Sequence, residues 1–375
     1  MTNVPSDLLP VGFRDRLPPH ASRQAALRRA MLDVLAGYGY ARVAPPLVEF
    51  ESTLTNQMSD GGRGGLLRVT DPASGRMLAL RSDITMQVGR LASSRLAGEP
   101  RPLRLSYQGP VLRLNASQLR PERELSQLGA ELIGSDSVAA VAEIVLVAVE
   151  ALEAAGVKDI TVDFTLPDLV ETLAKDALPL DGAQLDAVRA KLDMKDAGAL
   201  KDLGADDYLP LLGAMGPFAE ALEKLREIDA GGALASRLAA LEEIAERIKG
   251  KANITLDPTE RHGFEYQSWF GFTLFAAGHS VALGRGGTYT ISDARGKSEV
   301  AAGFSLYPDP LTDMADGGSA GENEKRLFLP LGTMSNKAAI LRTEGWITVA
   351  ALDEHDDAAK LGCTHILSSG KAVTL

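Results

Sequence analysis

The sequence predicts an α+β fold, in which a mainly antiparallel sheet carries flanking helices, a helical insertion and a small C-terminal α/β unit. Segments of alternating apolar residues, which are typical of half-buried strands, lie on both sides of residues 167–252. Residues 167–252 are instead rich in Ala, Leu, Asp, Glu and Lys, a composition that favours helices. After residue 325, short strand and helix patterns alternate, which indicates a separate α/β unit.

These changes in composition divide the 375 residues into a large domain, a linker and a small domain. Residues 1–311 are expected to form the large domain, with the helical insertion at about 167–252. Residues 312–325 have the composition of a linker. Residues 326–375 are expected to form the small domain, with strands near 327–330, 346–350 and 364–367 and helices near 337–342 and 356–361.

Three further elements are predicted from local patterns. Residues 20–38 should form an amphipathic helix, because apolar residues recur there every three or four positions. Residues 69–80 should form a hairpin that turns at 72–75, where Pro, Ser and Gly cluster. The nearly all-apolar run from Ser135 to about Ala155 should form a buried helix.

The composition excludes several classes of site. The net charge of −11 opposes general nucleic-acid binding, which needs a basic surface to displace phosphate counterions. The single cysteine, Cys363, allows no disulfide framework within the chain, and the five histidines show no metal-ligand spacing. We therefore predict neither a metal site nor another cofactor.

The chain is also predicted to be cytoplasmic, without contact with a membrane. Its N-terminus lacks the basic region and apolar core of a signal peptide. The longest apolar run, near residues 138–149, is interrupted by Glu143 and is too short to span a bilayer.

Residues 113–134 carry the pattern that predicts a binding site. They place Arg113 on one strand, a polar loop after it and a returning strand. On the returning strand Gln127, Gly129 and Glu131 share one face, because side chains alternate from side to side. Gln127 and Glu131 are roughly 13 Å apart along the strand at ~3.3 Å per residue. Gly129 between them should leave room, so an amide, a carboxylate and a gap predict a pocket for a polar small molecule.

The same run resembles motif 2 of the class II aminoacyl-tRNA synthetases, in its histidyl-tRNA synthetase version. The spacing from Arg113 to Glu131 matches without a gap, and residues 127–131 are close to that family's Gln-Leu-Gly-Cys-Glu. Four other segments are similar to parts of the family. Residues 41–49 resemble motif 1, which builds the dimer interface, 80–85 resemble Leu-Arg-Pro-Glu-Gly-Thr, 261–267 resemble Arg-Gly-Leu-Asp-Tyr-Tyr, and 286–289 resemble Gly-Gly-Arg-Tyr.

The resemblance breaks where the family handles ATP. Motif 3 should read Gly-Phe-Ala-Met-Gly-Leu-Glu-Arg-Leu, but residues 303–311 place Pro310 where the family has the arginine that neutralises ATP phosphate. Pro308 is expected to break the helix that would present that arginine. In motif 2, Asn115 replaces the acidic residue that meets the adenine amine. The amino-acid half of the pocket is therefore kept, and the ATP half is lost.

This pattern of retention and loss resembles the regulatory subunits of ATP phosphoribosyltransferase, which are paralogues of histidyl-tRNA synthetases. The resemblance covers about residues 5–311 and implies a class II synthetase-like fold. It implies a non-catalytic homodimer that binds free L-histidine. It further implies assembly with the short-form catalytic subunit, in an expected hetero-octamer, at the first step of histidine biosynthesis.

Eight residues are implied for histidine binding, grouped by the part of the ligand that each would contact: Asp83, Thr85 and Gln127 for the α-ammonium, Arg261 and Arg113 for the carboxylate, and Glu131, Tyr266 and Tyr289 for the imidazole. Some structural alternatives stay open for these residues. Ser82 or Asp83 could cap a helix, and Glu131 could be a buried carboxylate paired with an arginine. Either Arg261 or His262 could take the place of the family's arginine.

Two other functions also remain possible from the sequence. An active histidyl-tRNA synthetase is opposed by Pro310, by the acidic net charge and by the short C-terminal segment. A protein-binding or structural use of the class II dimer, with an inactive pocket, is opposed by the intact set of pocket residues.

Overall fold

The computed structural model describes residues 9–55, 65–114, 121–228, 231–261, 267–279, 281–292, 296–314 and 325–375. The chain divides into two compact units. The larger unit holds Gln24–Thr312 with the N-terminal residues up to Asp15, and the smaller holds Arg16–Arg23 and Asp313–Leu375.

The first part of the chain contains both helices and strands. In order they are α1 (His20–Gly37), β1 (Ala41–Arg42), β2 (Val48–Phe50), α2 (Glu51–Thr55), β3 (Arg68–Thr70), β4 (Met77–Leu80), α3 (Thr85–Ser93), β5 (Leu103–Leu112), β6 (Glu124–Ile133), α4 (Val138–Ala154) and β7 (Ile160–Thr165). The predicted helix at 20–38 and the predicted hairpin, which pairs β3 with β4, are both confirmed.

The predicted helical insertion is confirmed as well. Its elements are α5 (Leu169–Asp176), α6 (Gly182–Asp193), α7 (Ala197–Asp202), a 3₁₀ helix (Asp206–Gly213), the two-residue strand β8 (Gly216–Pro217), α8 (Phe218–Ile228) and α9 (Ala235–Arg247). Asp181 and Gln184 form a capping box that fixes the start of α6, since each side chain accepts from the other residue's backbone N–H.

The chain then returns to the sheet through β9 (Asn253–Leu256), β10 (Gln267–Ala276), β11 (Gly284–Ser292) and β12 (Ser298–Leu306), followed by the short helix α10 (Asp309–Met314). The main sheet has the order β1-β5-β6-β12-β11-β10-β7-β9-β8. Its six central strands, in the order β5-β6-β12-β11-β10-β7, pair with one another antiparallel. The prediction of a mainly antiparallel sheet is therefore confirmed, and only β1 and β9 join it in parallel.

The two faces of this sheet have different chemistry. One face is apolar: Leu132, Phe304 and Phe270 belong to a large core that includes the buried side of α4. Ser137 caps α4 by accepting a hydrogen bond from the Ala140 N–H at 3.3 Å. Within the described residues, no helix is long and apolar enough to cross a membrane. The opposite face carries the polar residues considered below.

The smaller unit contains a four-stranded sheet of its own. Its elements are β13 (Arg326–Leu329), α11 (Ser335–Thr343), β14 (Ile347–Ala350), β15 (His365–Ser368) and β16 (Lys371–Thr374), and its strand order is β14-β13-β15-β16. Of the predicted linker, residues 312–314 belong to α10, and residues 315–324 lie outside the described part of the chain.

The predicted helix at 356–361 is wrong, because this segment forms turns. Asp356 Oδ2 accepts hydrogen bonds from the Leu352 and Asp353 N–H groups, and Asp357 Oδ1 accepts from Ala359 and Lys360. Aspartate side chains that bind nearby backbone groups in this way compete with helix formation. The sequence-based prediction also omitted β16.

Candidate functional site

A row of glycines crosses the polar face of the main sheet. Gly303 pairs with Glu131 on one side and with Gly287 on the other, and Gly287 pairs with Gly271. Directly paired residues of antiparallel strands project to the same face. A Cβ at Gly303 would overlap the Glu131 carboxylate, and a Cβ at Gly287 would lie 2.7 Å from the Gln267 amide nitrogen. The absence of side chains along this row makes room for the Glu131 carboxylate and the Gln267 amide on this face.

Two adjoining cavities lie on this face. The first, the Glu131 cavity, is lined by Thr85, Glu131, Gln267, Arg285, Gly286, Gly287, Tyr289, Gly303, Phe304 and Ser305. The second, the Glu260 cavity, is lined by Thr165, Glu260, Gln267, Phe272, Thr273 and Arg285. Gln267 and Arg285 line both cavities, so these two side chains form the boundary between them.

Glu131 is the acidic group of the first cavity, and it is only 1% exposed. The Tyr289 hydroxyl donates to its Oε2 at 2.6 Å, and the Tyr107 hydroxyl donates to its Oε1 at 3.1 Å. Burial raises the pKa of Glu131 to about 8, although the hydrogen bonds from Tyr289, Thr85 and Tyr107 oppose the rise. The contacts described for Glu131 include no arginine. Its carboxyl group is therefore set to exchange a proton near neutral pH.

Tyr107 occupies the space that was predicted to be open beside Gly129. The two residues pair directly between β5 and β6, and a Cβ at Gly129 would lie 2.5 Å from the Tyr107 hydroxyl. That hydroxyl lies 3.0 Å from both Thr85 Oγ1 and Ser305 Oγ. The predicted gap is therefore wrong: Gly129 makes room for a tyrosine that holds Glu131, and the Glu131 carboxylate itself lies over Gly303.

Gln127 and Asp83 fix the start of α3 beside the cavity, and neither is among its lining residues. Gln127 Oε1 accepts from the Ile84 N–H at 2.9 Å, and its Nε2 donates to Ser305 Oγ at 2.8 Å. Asp83 Oδ1 accepts from the Thr85 N–H at 2.6 Å, but the N-cap residue of α3 is Ile84, so Asp83 does not occupy the capping position that the sequence left open. Burial raises the pKa of Asp83, against the opposing effect of hydrogen bonds from Thr85 and Gln127 and of the Arg113 charge.

The structure places the two predicted arginines apart. Arg113 follows β5, with its guanidinium carbon 5.9 Å from the Tyr307 ring centroid. Arg261 lies beside the helical insertion, where its N–H donates to Asp193 Oδ1 at 2.9 Å, and it lines neither cavity. The predicted residues Tyr266, His262 and Asn115 lie outside the described residues.

The segment after β12 retains a helix. The prediction that Pro308 breaks it is wrong, because α10 begins at the next residue and Pro310 falls in its first turn, where proline needs no hydrogen-bond donor. Asp309 is buried: its Oδ1 accepts from Gln24 Nε2 at 2.7 Å, and its Oδ2 accepts from the Ser126 N–H at 2.6 Å. This carboxylate connects α1 to β6.

Sequence reasoning missed four polar residues of the site, namely Tyr107, Gln267, Arg285 and Ser305. Each faces the cavity side because of its pairing with a neighbouring strand, and the sequence alone gives no signal for that register. In the described part of the chain, no group of three or more His, Cys, Asp or Glu side chains is placed to hold a metal ion. Within the Glu131 cavity, the carboxyl group of Glu131 can exchange a hydrogen bond with a polar group of a ligand.

The chain is similar to known proteins along most of its length. Residues 12–311 match the sequence profile of a family described as histidyl-tRNA synthetase. An ATP phosphoribosyltransferase regulatory subunit from Paramagnetospirillum magneticum is 41% identical over 370 residues, which cover 96% of each protein.

Two solved structures are similar across most of the chain. An ATP phosphoribosyltransferase regulatory subunit/histidyl-tRNA synthetase from Bacillus halodurans C gives a TM-score of 0.80 at 24% identity and covers 95% of this chain and 96% of its own. Histidyl-tRNA synthetase from Nostoc sp. PCC 7120 gives a TM-score of 0.78 at 14% identity, with coverage of 97% and 91%. The predicted class II synthetase-like fold is confirmed by these likenesses.

Proposed function

Because this chain belongs to the ATP phosphoribosyltransferase regulatory subunit family, we propose that it is the non-catalytic regulatory subunit of a short-form ATP phosphoribosyltransferase. The catalytic subunit would need it for activity, and histidine would act through it as the feedback inhibitor. One observation carries this proposal: three of the predicted histidine-binding residues, Thr85, Glu131 and Tyr289, line one cavity, and the segment after β12 has Pro310 at the position of the family's ATP-binding arginine.

Histidine would bind with its imidazole at Glu131 and Tyr289. Imidazole has an ordinary pKa of about 6.5, and the pKa of Glu131 is about 8, so one proton can be shared between the two groups near neutral pH. An aliphatic side chain has no group to satisfy the Glu131 carboxyl and would leave it buried without a new partner. Thr85, which lines the same cavity, and Asp83 next to it would receive the α-ammonium.

A protein that binds histidine without transforming it can act only by favouring one state of a complex. Coupling between the histidine cavity and the catalytic subunit would then be reciprocal and typically ~1–3 kcal/mol. In the proposed assembly this chain is a homodimer that joins the catalytic subunit in a hetero-octamer, and the resemblance of residues 41–49 to motif 1 supports the dimer.

The test is a calorimetric titration with L-histidine, performed with this protein alone and with the catalytic subunit present. We expect binding in both cases, with a histidine affinity that changes roughly 5- to 150-fold when the catalytic subunit is added. Absence of histidine binding in both titrations would contradict the histidine-sensing role. An unchanged affinity would contradict the coupling.

Glu131→Gln sharpens the test, with Glu299→Gln as a matched control. Loss of a buried charge-assisted hydrogen bond costs ~1.5–3 kcal/mol, so Glu131→Gln should weaken histidine binding at least roughly tenfold and relieve inhibition of the complex. Glu299 lies on β12 in a partly buried ion pair with Arg101, outside the cavity, and its variant should bind histidine normally. Wild-type affinity in Glu131→Gln would mean that Glu131 is a structural carboxylate.

A further inference from the structure

Arg285 lies on the wall shared by the two cavities. Arg285, Gly287 and Tyr289 are two residues apart along β11, so these three positions face the same side of the sheet, the cavity side. Its direct neighbours are Ser305 on β12 and Thr273 on β10. Among the described residues that line the Glu131 cavity or the Glu260 cavity, Arg285 is the only one with a cationic side chain.

Strand register also gives the separation of Arg285 from Glu131. One strand, β12, lies between β6 and β11, so the two residues are two strand spacings of ~4.8 Å apart across the sheet. Arg285 is also two residues further along, which adds ~6.6 Å in the strand direction, so the Cα atoms are roughly 12 Å apart. With both side chains on one cavity, this separation suits a ligand that has a ring nitrogen at one end and a carboxylate at the other.

The surroundings of Arg285 include groups of both charges. Burial lowers the pKa of Arg285, Tyr307 and Glu260 oppose this change, and the Arg113 charge makes a smaller contribution in the same direction as burial. A buried guanidinium is stabilised by an anion that binds to it. Arg261, in contrast, lines neither cavity.

We propose that the Arg285 guanidinium binds the α-carboxylate of histidine in the Glu131 cavity, the role that the sequence had predicted for Arg261. This inference rests on the proposed function, since it assigns a residue to the same ligand. A guanidinium can donate two parallel N–H groups to one carboxylate, which fixes the orientation of the ligand as well as its charge.

The test compares histidine with histamine, which has the same imidazole and amine but no carboxylate. We expect wild-type protein to prefer histidine by roughly 10- to 100-fold, the worth of a charge-assisted hydrogen bond. In Arg285→Gln, histidine affinity should fall to within about threefold of histamine affinity, which itself should be unchanged. Arg261→Gln is the matched control and should keep the wild-type preference.

Each other outcome overturns a defined statement. An equal loss of both ligands in Arg285→Gln would mean that Arg285 only supports the cavity wall. Loss of the preference in Arg261→Gln alone would return the carboxylate to Arg261. If Arg285→Gln does not fold, Arg285→Lys is tested in its place. Lysine keeps the positive charge but lacks the two parallel N–H groups, so this variant should show a preference for histidine over histamine between that of the wild type and none. An unchanged preference in Arg285→Lys would overturn the proposal.

Wild-type results separate this inference from the proposed function. Wild-type protein that binds neither ligand would contradict the histidine-binding function itself, and Arg285 with it. Wild-type protein that binds histidine and histamine equally well would leave histidine binding intact and overturn the role of Arg285 alone.

Discussion

The Glu131 cavity and residues 307–312 differ in how they use polar groups, although β12, which forms part of the cavity, leads directly into residues 307–312. β12 supplies Gly303 and Ser305 to the cavity, where Glu131, Tyr107 and Tyr289 are buried around an accessible space. In the next segment Asp309 is turned inward to Gln24 and the Ser126 backbone, and Pro310 offers neither a charge nor an N–H. One region keeps polar groups for a ligand, and the other uses them for the fold.

Under the proposed function, this difference explains how an amino-acid pocket can be kept when an ATP site is lost. The residues that line the cavity come from β6, β10, β11, β12 and the start of α3, whereas Pro310, at the position of the resembled family's arginine, lies in the segment after β12. Because the two sets lie on different elements, a substitution at residue 310 need not change the register of the cavity strands. Three predictions test this division.

The largest expected effect is on stability, in the segment after β12. Asp309→Ala leaves the Ser126 N–H and the Gln24 amide buried without their acceptor, at ~1.5–3 kcal/mol for each charge-assisted bond. We expect a loss of roughly 3–5 kcal/mol in the free energy of unfolding, measured by urea denaturation. Asp309→Asn keeps one acceptor oxygen and should lose about half as much. A loss below about 1 kcal/mol in Asp309→Ala would show that Asp309 is not the connection described.

A smaller effect on stability is expected in the cavity, and it depends on pH. The pKa of Glu131 is about 8 in the folded protein against an ordinary 4.5, so between these values the folded chain holds a proton that the unfolded chain has released. Stability must therefore fall as pH rises from about 5 to 8. Glu131→Gln has no such proton and should not lose stability in this way. As pH rises from about 5 to 8, the free energy of unfolding of the variant minus that of the wild type should increase by roughly 2–4 kcal/mol.

Urea denaturation at a series of pH values checks this, with Glu299→Gln as the control. Parallel profiles for wild type and Glu131→Gln would mean that the pKa of Glu131 is ordinary. A pH-dependent difference in Glu299→Gln of the same size would assign the effect to the loss of any carboxylate on this sheet.

The smallest expected effect is an absence of catalysis. Loss of a cationic clamp on a transferring phosphate typically costs several kcal/mol of transition-state stabilisation. Wild-type protein should therefore show no histidine-dependent ATP–pyrophosphate exchange above background. Pro310→Arg should not restore exchange, since Asn115 also departs from the family pattern. Exchange in the wild type would contradict the non-catalytic function and remove the contrast between the two regions.

Much of the fold could be predicted because its apolar patterns are regular. The helix at 20–38, the helical insertion and the hairpin at 69–80 all follow from local spacing and turn residues. The segment at 356–361 was wrongly predicted to be a helix. It forms turns because its aspartate side chains bind nearby backbone groups, and composition does not show whether such hydrogen bonds form.

The site could be predicted only in part. Thr85, Glu131 and Tyr289 line the cavity, and they were found through the spacing of family motifs. Tyr107 and Arg285 were missed, because each faces the cavity only through its pairing with another strand, and a single sequence does not state that register. The same lack of register led to the misplaced gap at Gly129.

The hydrogen bonds that end at Glu131 have a single direction. The Ile84 N–H donates to Gln127, whose amide donates to Ser305, and Tyr107 donates to Glu131. Each hydroxyl has one hydrogen, so Ser305 must donate to Tyr107 whenever Tyr107 donates to an ionised Glu131. The start of α3 and the acid of the cavity are thus joined by one ordered series of donors. When Glu131 is protonated, it no longer requires the hydrogen bond that Tyr107 donates to it. The Tyr107 hydroxyl hydrogen can then turn towards Ser305 or Thr85. A charge state would thereby be converted into an orientation of hydroxyl groups, without displacement of the backbone.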